Sequence, residues 1–231
     1  MSSLVGCHAL VFTGEFDPSG IETSVRRARA AGFDLIEFPL MEPETFDSAT
    51  ARRTLEAEGL HATASLGLSL EADVSSDDPS TVAAGRRVLD LALDRAAEMG
   101  AFRLCGVLYG SMRKHMAPAS ATGRANSVAA IQAVADRASS LGIAVSLEVV
   151  NRYETNLLNT GRQAQEFLKE VDRPNVTVHL DTYHMNIEES DLFQPFLDAG
   201  LDGLVFNMPA SSTPEQVSLA GKALAQRFGS S

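Results

Sequence analysis

The sequence predicts an α/β fold in which repeated strand–helix units form a parallel barrel of about seven strands. Three observations carry this expectation. Short apolar runs alternate with amphipathic stretches along the whole chain. One junction recurs, in which a helical stretch ends in glycine just before an apolar run. The 231 residues, 45% of them apolar, suit one barrel domain, 1–231, with a full core.

In chain order, the predicted strands are Leu4–Phe12, Leu35–Phe38, His61–Leu66, Arg103–Leu108, Ile143–Val149, Val176–Leu180 and Gly203–Asn207. Their apolar runs suit parallel strands covered on both faces. Between them lie amphipathic helices. In the stretch 79–99, Val82, Val88, Leu89, Ala92, Leu93, Ala96 and Met99 share one face, and Arg87, Asp90, Asp94 and Glu98 the other. The junction glycines are Gly32, Gly59, Gly100, Gly142 and Gly200, each placed to end a helix in the left-handed conformation. A sixth junction uses Pro174 instead. A closed barrel of the TIM type has eight strands. Seven therefore imply an incomplete barrel with a gap between its first and last strands, whose edges distortion or a second copy of the chain would cover.

Composition narrows the function. A formal charge of −11 argues against nucleic acid as a partner, because phosphate binding rests on clustered Lys and Arg. No run of 18 uncharged apolar residues exists, so no membrane span is expected. The first residues, Met1 to Gly6, lack the basic and apolar regions of a secretory signal. Cys7 and Cys105 are far apart in apolar runs, which reads as buried free thiols in a reducing cytoplasm.

In parallel barrels functional side chains gather at the C-terminal ends of strands. The fifth strand carries Glu148 within Ala144-Val145-Ser146-Leu147-Glu148-Val149. A carboxylate there is costly to bury unless paired or bound to a cation. It reads either as the partner of a nearby arginine such as Arg152, or as a metal ligand or proton-transfer base. The sixth strand ends in Asp181, with His184 three residues on. Asp and His suit a divalent metal such as Mn²⁺, Mg²⁺ or Co²⁺. Asp181 also reads as a helix cap, and His184 as a hydrogen-bonded loop histidine. His8 and Glu37 lie in the first two strands, with structural and functional readings evenly matched. His61 and His115 read as surface or junction residues, and His179 as a hydrogen-bonded core histidine. The basic loop Leu108-Tyr109-Gly110-Ser111-Met112-Arg113-Lys114-His115 reads as solvated, with contact to a substrate as the alternative. Nucleotide-binding glycine loops and the Gly-x-Ser-x-Gly elbow are not found.

Two blocks resemble the ketose 3-epimerases, the D-tagatose and D-psicose (allulose) 3-epimerase group of the xylose-isomerase-like barrels. One runs Leu147-Glu148 and Asn151-Arg152-Tyr153-Glu154-Thr155-Asn156-Leu157-Leu158-Asn159-Thr160. The other is Leu180-Asp181-Thr182-Tyr183-His184-Met185-Asn186-Ile187-Glu188-Glu189. Weaker similarity extends over roughly residues 1–195. The resemblance implies a metal-dependent epimerase acting on a ketose sugar through an enediolate. Glu148 would be metal ligand and catalytic base, Asp181 a second metal ligand, and Glu154 and His184 would bind the substrate.

The family also supplies a metal-binding histidine and an arginine from its seventh strand and a second catalytic glutamate from its eighth. This chain has no histidine after His184. Asn207 stands where a ligand belongs, and Glu215 follows Pro214 as an ordinary first-turn acid. The atypical tail, 196–231, resembles the last unit of luciferase-like oxidoreductases through Leu201-Asp202-Gly203-Leu204-Val205-Phe206-Asn207-Met208-Pro209. Two further readings follow. One is a degenerate barrel that binds sugar without catalysis, and the other is a flavin- or deazaflavin-dependent oxidoreductase.

Overall fold

A computed structural model describes residues 4–192, 194–199, 203–206, 213, 215–219 and 222. The elements run β1 (Leu4–His8), a 3₁₀ turn (Ala9–Val11), α1 (Pro18–Ala30), β2 (Leu35–Pro39), α2 (Ser48–Glu58), β3 (His61–Leu68), a second 3₁₀ turn (Leu70–Ala72) and α3 (Pro79–Met99). They continue with β4 (Arg103–Ser111), α4 (Ala121–Ser140), β5 (Ala144–Val149), α5 (Gly161–Val171), β6 (Val176–Leu180), α6 (Thr182–Glu188), α7 (Gln194–Ala199) and β7 (Gly203–Phe206). All seven expected strands are present among the described residues. The chain divides into two compact units, one of Met1–Ser65, Arg95–Phe102 and Leu201–Ser231, the other of Leu66–Asp94 and Arg103–Gly200.

In the first unit β2 pairs in parallel with β1 on one side and β3 on the other, in the register Cys7 with Ile36 and Glu37 with Thr63. β7 pairs in parallel with the other edge of β1, Val5 beside Leu204. The expected gap between the first and last strands is therefore not there. Sequence order alone does not say which edge the last strand takes, and β1 offers a free one. β1 is also shorter than expected. The Nδ1 of His8 accepts the N–H of Leu10 at 3.2 Å, which turns the chain into the 3₁₀ turn before Phe12. Phe33, Ile36 and Phe38 fill this unit's core.

In the second unit β5 pairs in parallel with β4 and with β6. Of its expected apolar face α3 buries Leu89, Ala92, Leu93, Ala96 and Met99 and leaves Val82 and Val88 half-buried; of the polar face Arg87, Asp90 and Glu98 are exposed and Asp94 is half-buried. β4 runs three residues beyond its expected end, and Tyr109 and Ser111 are buried there. Gly106 makes this strand possible. Its φ is +117°, and an added Cβ would lie 2.1 Å from the carbonyl oxygen of Leu66. Only glycine permits that approach.

The caps follow the sequence. Asp17, Asp47 and Ser120 accept backbone N–H groups at the starts of α1, α2 and α4. Thr160 and Gln163 form a reciprocal capping box on α5. At the junctions, Gly32, Gly59, Gly100 and Gly142 all have positive φ. At the sixth junction Asp172 itself takes the left-handed conformation, φ 48°, just before Arg173-Pro174. Gly200 lies outside the described residues. Cys7 and Cys105 are buried and form no disulfide, as expected.

Candidate active site

The site is built at the C-terminal ends of β5 and β6 and in the loops that follow them. Glu148 is the fifth residue of β5, between the buried side chains of Leu147 and Val149, and its own side chain is partly open. Its backbone is pinned from β4, where the Tyr109 hydroxyl donates to the carbonyl of Glu148 at 2.8 Å. Burial pushes the Tyr109 phenol far above its ordinary range, and the charge of Glu148 adds to the effect. The phenol therefore stays protonated and remains a donor.

Arg152 does not pair with Glu148. Its guanidinium grips Glu188 through two bonds, Nε to Oε1 at 2.8 Å and Nη2 to Oε2 at 2.6 Å, and its backbone N–H donates to Oε1 at 2.7 Å. The hydrogen bonds from Arg152 hold the Glu188 carboxyl below its usual range. Arg152 is thus spent on α6 and is not the partner of Glu148.

Asp181 is both a cap and a candidate ligand. Its Oδ1 accepts the N–H groups of Tyr183 at 2.7 Å and His184 at 3.2 Å, which starts α6. These bonds leave Oδ2 outside the cap. One ligand atom from each of Glu148, Asp181 and His184 lies within 4.8 Å of the others. Two carboxylate charges at that separation repel by roughly 3 kcal/mol at an effective dielectric constant of about 20. A divalent cation turns this repulsion into attraction, so the donor set suits a hard or borderline metal. His184 has its Nε2 3.9 Å from a Glu148 oxygen and its Nδ1 3.9 Å from a Glu154 oxygen. The two candidate substrate residues therefore sit beside the candidate metal ligands.

Sequence reasoning passed over Asn151. It is buried and touches both substrate candidates. Its Nδ2 donates to His184 Nδ1 at 2.7 Å and to Glu154 Oε1 at 3.3 Å. The available signal was its position, first in the polar Asn-Arg-Tyr-Glu-Thr-Asn stretch close behind an apolar strand.

The other candidates separate. His179 pairs in register with Glu148 across β5 and β6. Its Nδ1 is buried without a hydrogen-bond partner, so the expected hydrogen-bonded core histidine is not what is found. The residue is only half-buried rather than enclosed in the core. Glu37 is buried in the first unit and accepts from the Thr63 hydroxyl at 2.9 Å. His8 is half-buried, and its Nε2 is 3.2 Å from the Ser65 hydroxyl. His61 is exposed against Phe102. His115, half-buried, meets the Ser111 hydroxyl at 3.2 Å. Glu215 is exposed at the start of a helix over 215–219, where Thr213 and Gln216 exchange bonds as a cap. Asn207 to Pro209 lie outside the described residues, as does most of the tail behind the luciferase-like resemblance.

Comparison with known proteins shows the family. The family described as the xylose isomerase-like TIM barrel matches residues 25–218. A ketose 3-epimerase from Arthrobacter globiformis is 62% identical over 194 residues, covering 84% of this chain and 67% of its own. The chain belongs to the ketose 3-epimerase group of the xylose isomerase-like TIM barrels. Among these epimerases an L-ribulose 3-epimerase from Methylomonas is 48% identical over 84% of this chain and 68% of its own. The crystal structure of a D-allulose 3-epimerase from Methylomonas in complex with D-allulose superposes with a TM-score of 0.86. It is 43% identical and is matched over 97% of this chain and 80% of its own. The chain thus spans about two thirds of the length of these curated relatives. The TIM-barrel fold expected from strand–helix alternation is the fold of the family. Among the described residues no helix is long and apolar enough to cross a membrane.

Proposed function

We propose that this chain is a metal-dependent ketose 3-epimerase that moves the C3 proton of a ketose, with Glu148 as the base. The observation that carries the reading is the convergence of Glu148, Asp181 and His184 at the ends of two neighbouring strands, with Glu154 beside them. Glu148 and Asp181 would hold Mn²⁺, Mg²⁺ or Co²⁺. When bound, such a cation polarises the C2 carbonyl and stabilises the negative charge that develops as C3 is deprotonated. Glu148 takes the C3 proton and leaves an enediolate across C2 and C3. His184 and Glu154 orient the sugar through its oxygens near C1–C3, which fixes C3 against the base. Inversion is completed when an acid returns a proton to the opposite face of C3.

The reading is supported by the activities of the relatives, by the D-allulose held by the Methylomonas structure and by the carboxylate pair at the strand ends. With two buried cysteines that form no disulfide and an acidic surface, we place the chain in the cytoplasm. The test is metal binding and turnover together. Calorimetry with Mn²⁺ should show one site that Glu148→Gln and Asp181→Asn each weaken by at least about tenfold. D-fructose incubated with the metal-loaded chain should yield its C3 epimer. The absence of both metal binding and turnover at high protein concentration would remove the reading.

A second reading, sugar binding without turnover, is favoured by one observation. Among the described residues three His or carboxylate groups lie close enough together to share a metal, and the two carboxylates alone hold a labile cation weakly. Tight ketose binding unchanged by a chelator, with no epimer formed, would support it.

A further inference from the structure

We infer that Asn151 fixes the tautomer of His184, and so keeps this histidine out of the metal's coordination and available as a hydrogen-bond donor to the substrate. Proximity alone groups His184 with Glu148 and Asp181 as a third ligand. The hydrogen bonds at its other nitrogen say otherwise. Nδ1 of His184 receives two donors, the Asn151 side-chain amide at 2.7 Å and the Asn151 backbone N–H at 3.3 Å. The backbone group cannot exchange donor for acceptor. The side-chain amide cannot flip without loss, because its Oδ1 accepts the Tyr153 N–H at 2.9 Å and its Nδ2 also donates to Glu154 at 3.3 Å. Nδ1 must therefore present its lone pair to Asn151, and in the neutral ring the proton sits on Nε2.

Nε2 is the nitrogen that faces Glu148, at 3.9 Å. Protonated, it has no lone pair for a cation, but it can donate to a carboxylate or a ketose oxygen. Asn151 is spent fully on this arrangement. Its carbonyl accepts the N–H groups of Glu154 at 2.9 Å and Thr155 at 3.2 Å, so the turn that carries Glu154 is built on the same residue. Asn151 is buried, and His184 has only 7% of its surface exposed, so water does not compete for Nδ1. Asn151 is a positioning residue. It divides the cluster into two carboxylates for the metal and one N–H donor, with one carboxylate, for the sugar. The ketose as acceptor rests on the epimerase reading, whereas the tautomer does not.

The experiment is ¹⁵N NMR of histidine-labelled, metal-free chain, with His184 assigned by the loss of its signals in His184→Asn. The expected result is a protonated Nε2 and an unprotonated Nδ1. A protonated Nδ1 in the neutral ring would overturn the inference. Because metal and substrate are absent, this outcome is independent of turnover. An inert chain with the expected tautomer would sink the epimerase reading alone. Asn151→Asp places an acceptor opposite Nδ1 and should move the proton there, freeing Nε2 as a ligand. Mn²⁺ affinity by calorimetry should then rise by about tenfold or more. In Asn151→Asp combined with His184→Asn most of that gain should vanish. A gain of the same size without His184 would reflect the added charge alone and would count against the inference.

Discussion

Replacement of Tyr109 by Phe tests how the catalytic strand is held. Tyr109 is fully buried, and its hydroxyl donates to the Glu148 carbonyl at 2.8 Å and approaches the Leu158 carbonyl at 3.4 Å. The substitution keeps the ring, including its contact with Phe167 at 6.2 Å between centroids, and removes only the donor. Losing a buried partner costs about 1–3 kcal/mol. For a domain of this size that corresponds to roughly 2–4 °C in Tm per kcal/mol. The loss should fall on Glu148 as well, because the strand end that presents its carboxylate is no longer tied. Mn²⁺ affinity should drop by about tenfold.

The pH dependence has a definite sign. The phenol is raised in the folded state by burial and then by Glu148. Its contribution is therefore fully present below the unfolded value of about 10 and is lost as pH rises from there through the higher folded value. Urea unfolding of both proteins at pH 7 and pH 8 should show the same difference. A Tyr109→Phe variant within about 0.5 kcal/mol of the parent, with unchanged metal affinity, would refute the reasoning.

Three further outcomes follow from the structure. Arg152→Ala removes the two-pronged bond to the Glu188 carboxylate, and urea unfolding at pH 7 should show a lower midpoint than the parent. The folded Glu188 value is depressed by Arg152. The stabilisation is therefore present above the unfolded value and disappears as pH falls through the folded one, so the two proteins should converge in acid. Gly106→Ala drives a Cβ into the Leu66 carbonyl at a positive φ and should cost well over about 1 kcal/mol, seen as lost soluble yield or a lower urea midpoint. Cys7, whose thiol is pushed up by burial, should resist a disulfide reagent at pH 8 in the folded chain and react once urea unfolds it.

Much of this was legible in the sequence because it rests on local signals. The period of the apolar face in 79–99 and the glycine junctions each need only a few neighbouring residues. The two strand-end carboxylates were legible for a related reason, since an acid inside an apolar run must have a use. Long-range pairing was not. That β7 would lie beside β1 depends on a contact between the two ends of the chain, which no local pattern encodes. Arg152 looked like the partner of Glu148 because it is close in sequence, whereas helix α6 brings Glu188 to it from 36 residues away. Asn151 escaped notice because an asparagine after a strand usually makes a turn. This one does so while both ends of its amide reach site residues that meet only in the folded chain.

The central claim is that Glu148 moves the C3 proton of a ketose at a divalent metal site, and deuterium exchange tests it most directly. D-fructose incubated with the metal-loaded chain in D₂O should gain deuterium at C3 and yield the C3 epimer. Both signals should be lost on chelation and in Glu148→Gln. Epimer formed without deuterium at C3, or exchange that persists undiminished in Glu148→Gln, would contradict the account.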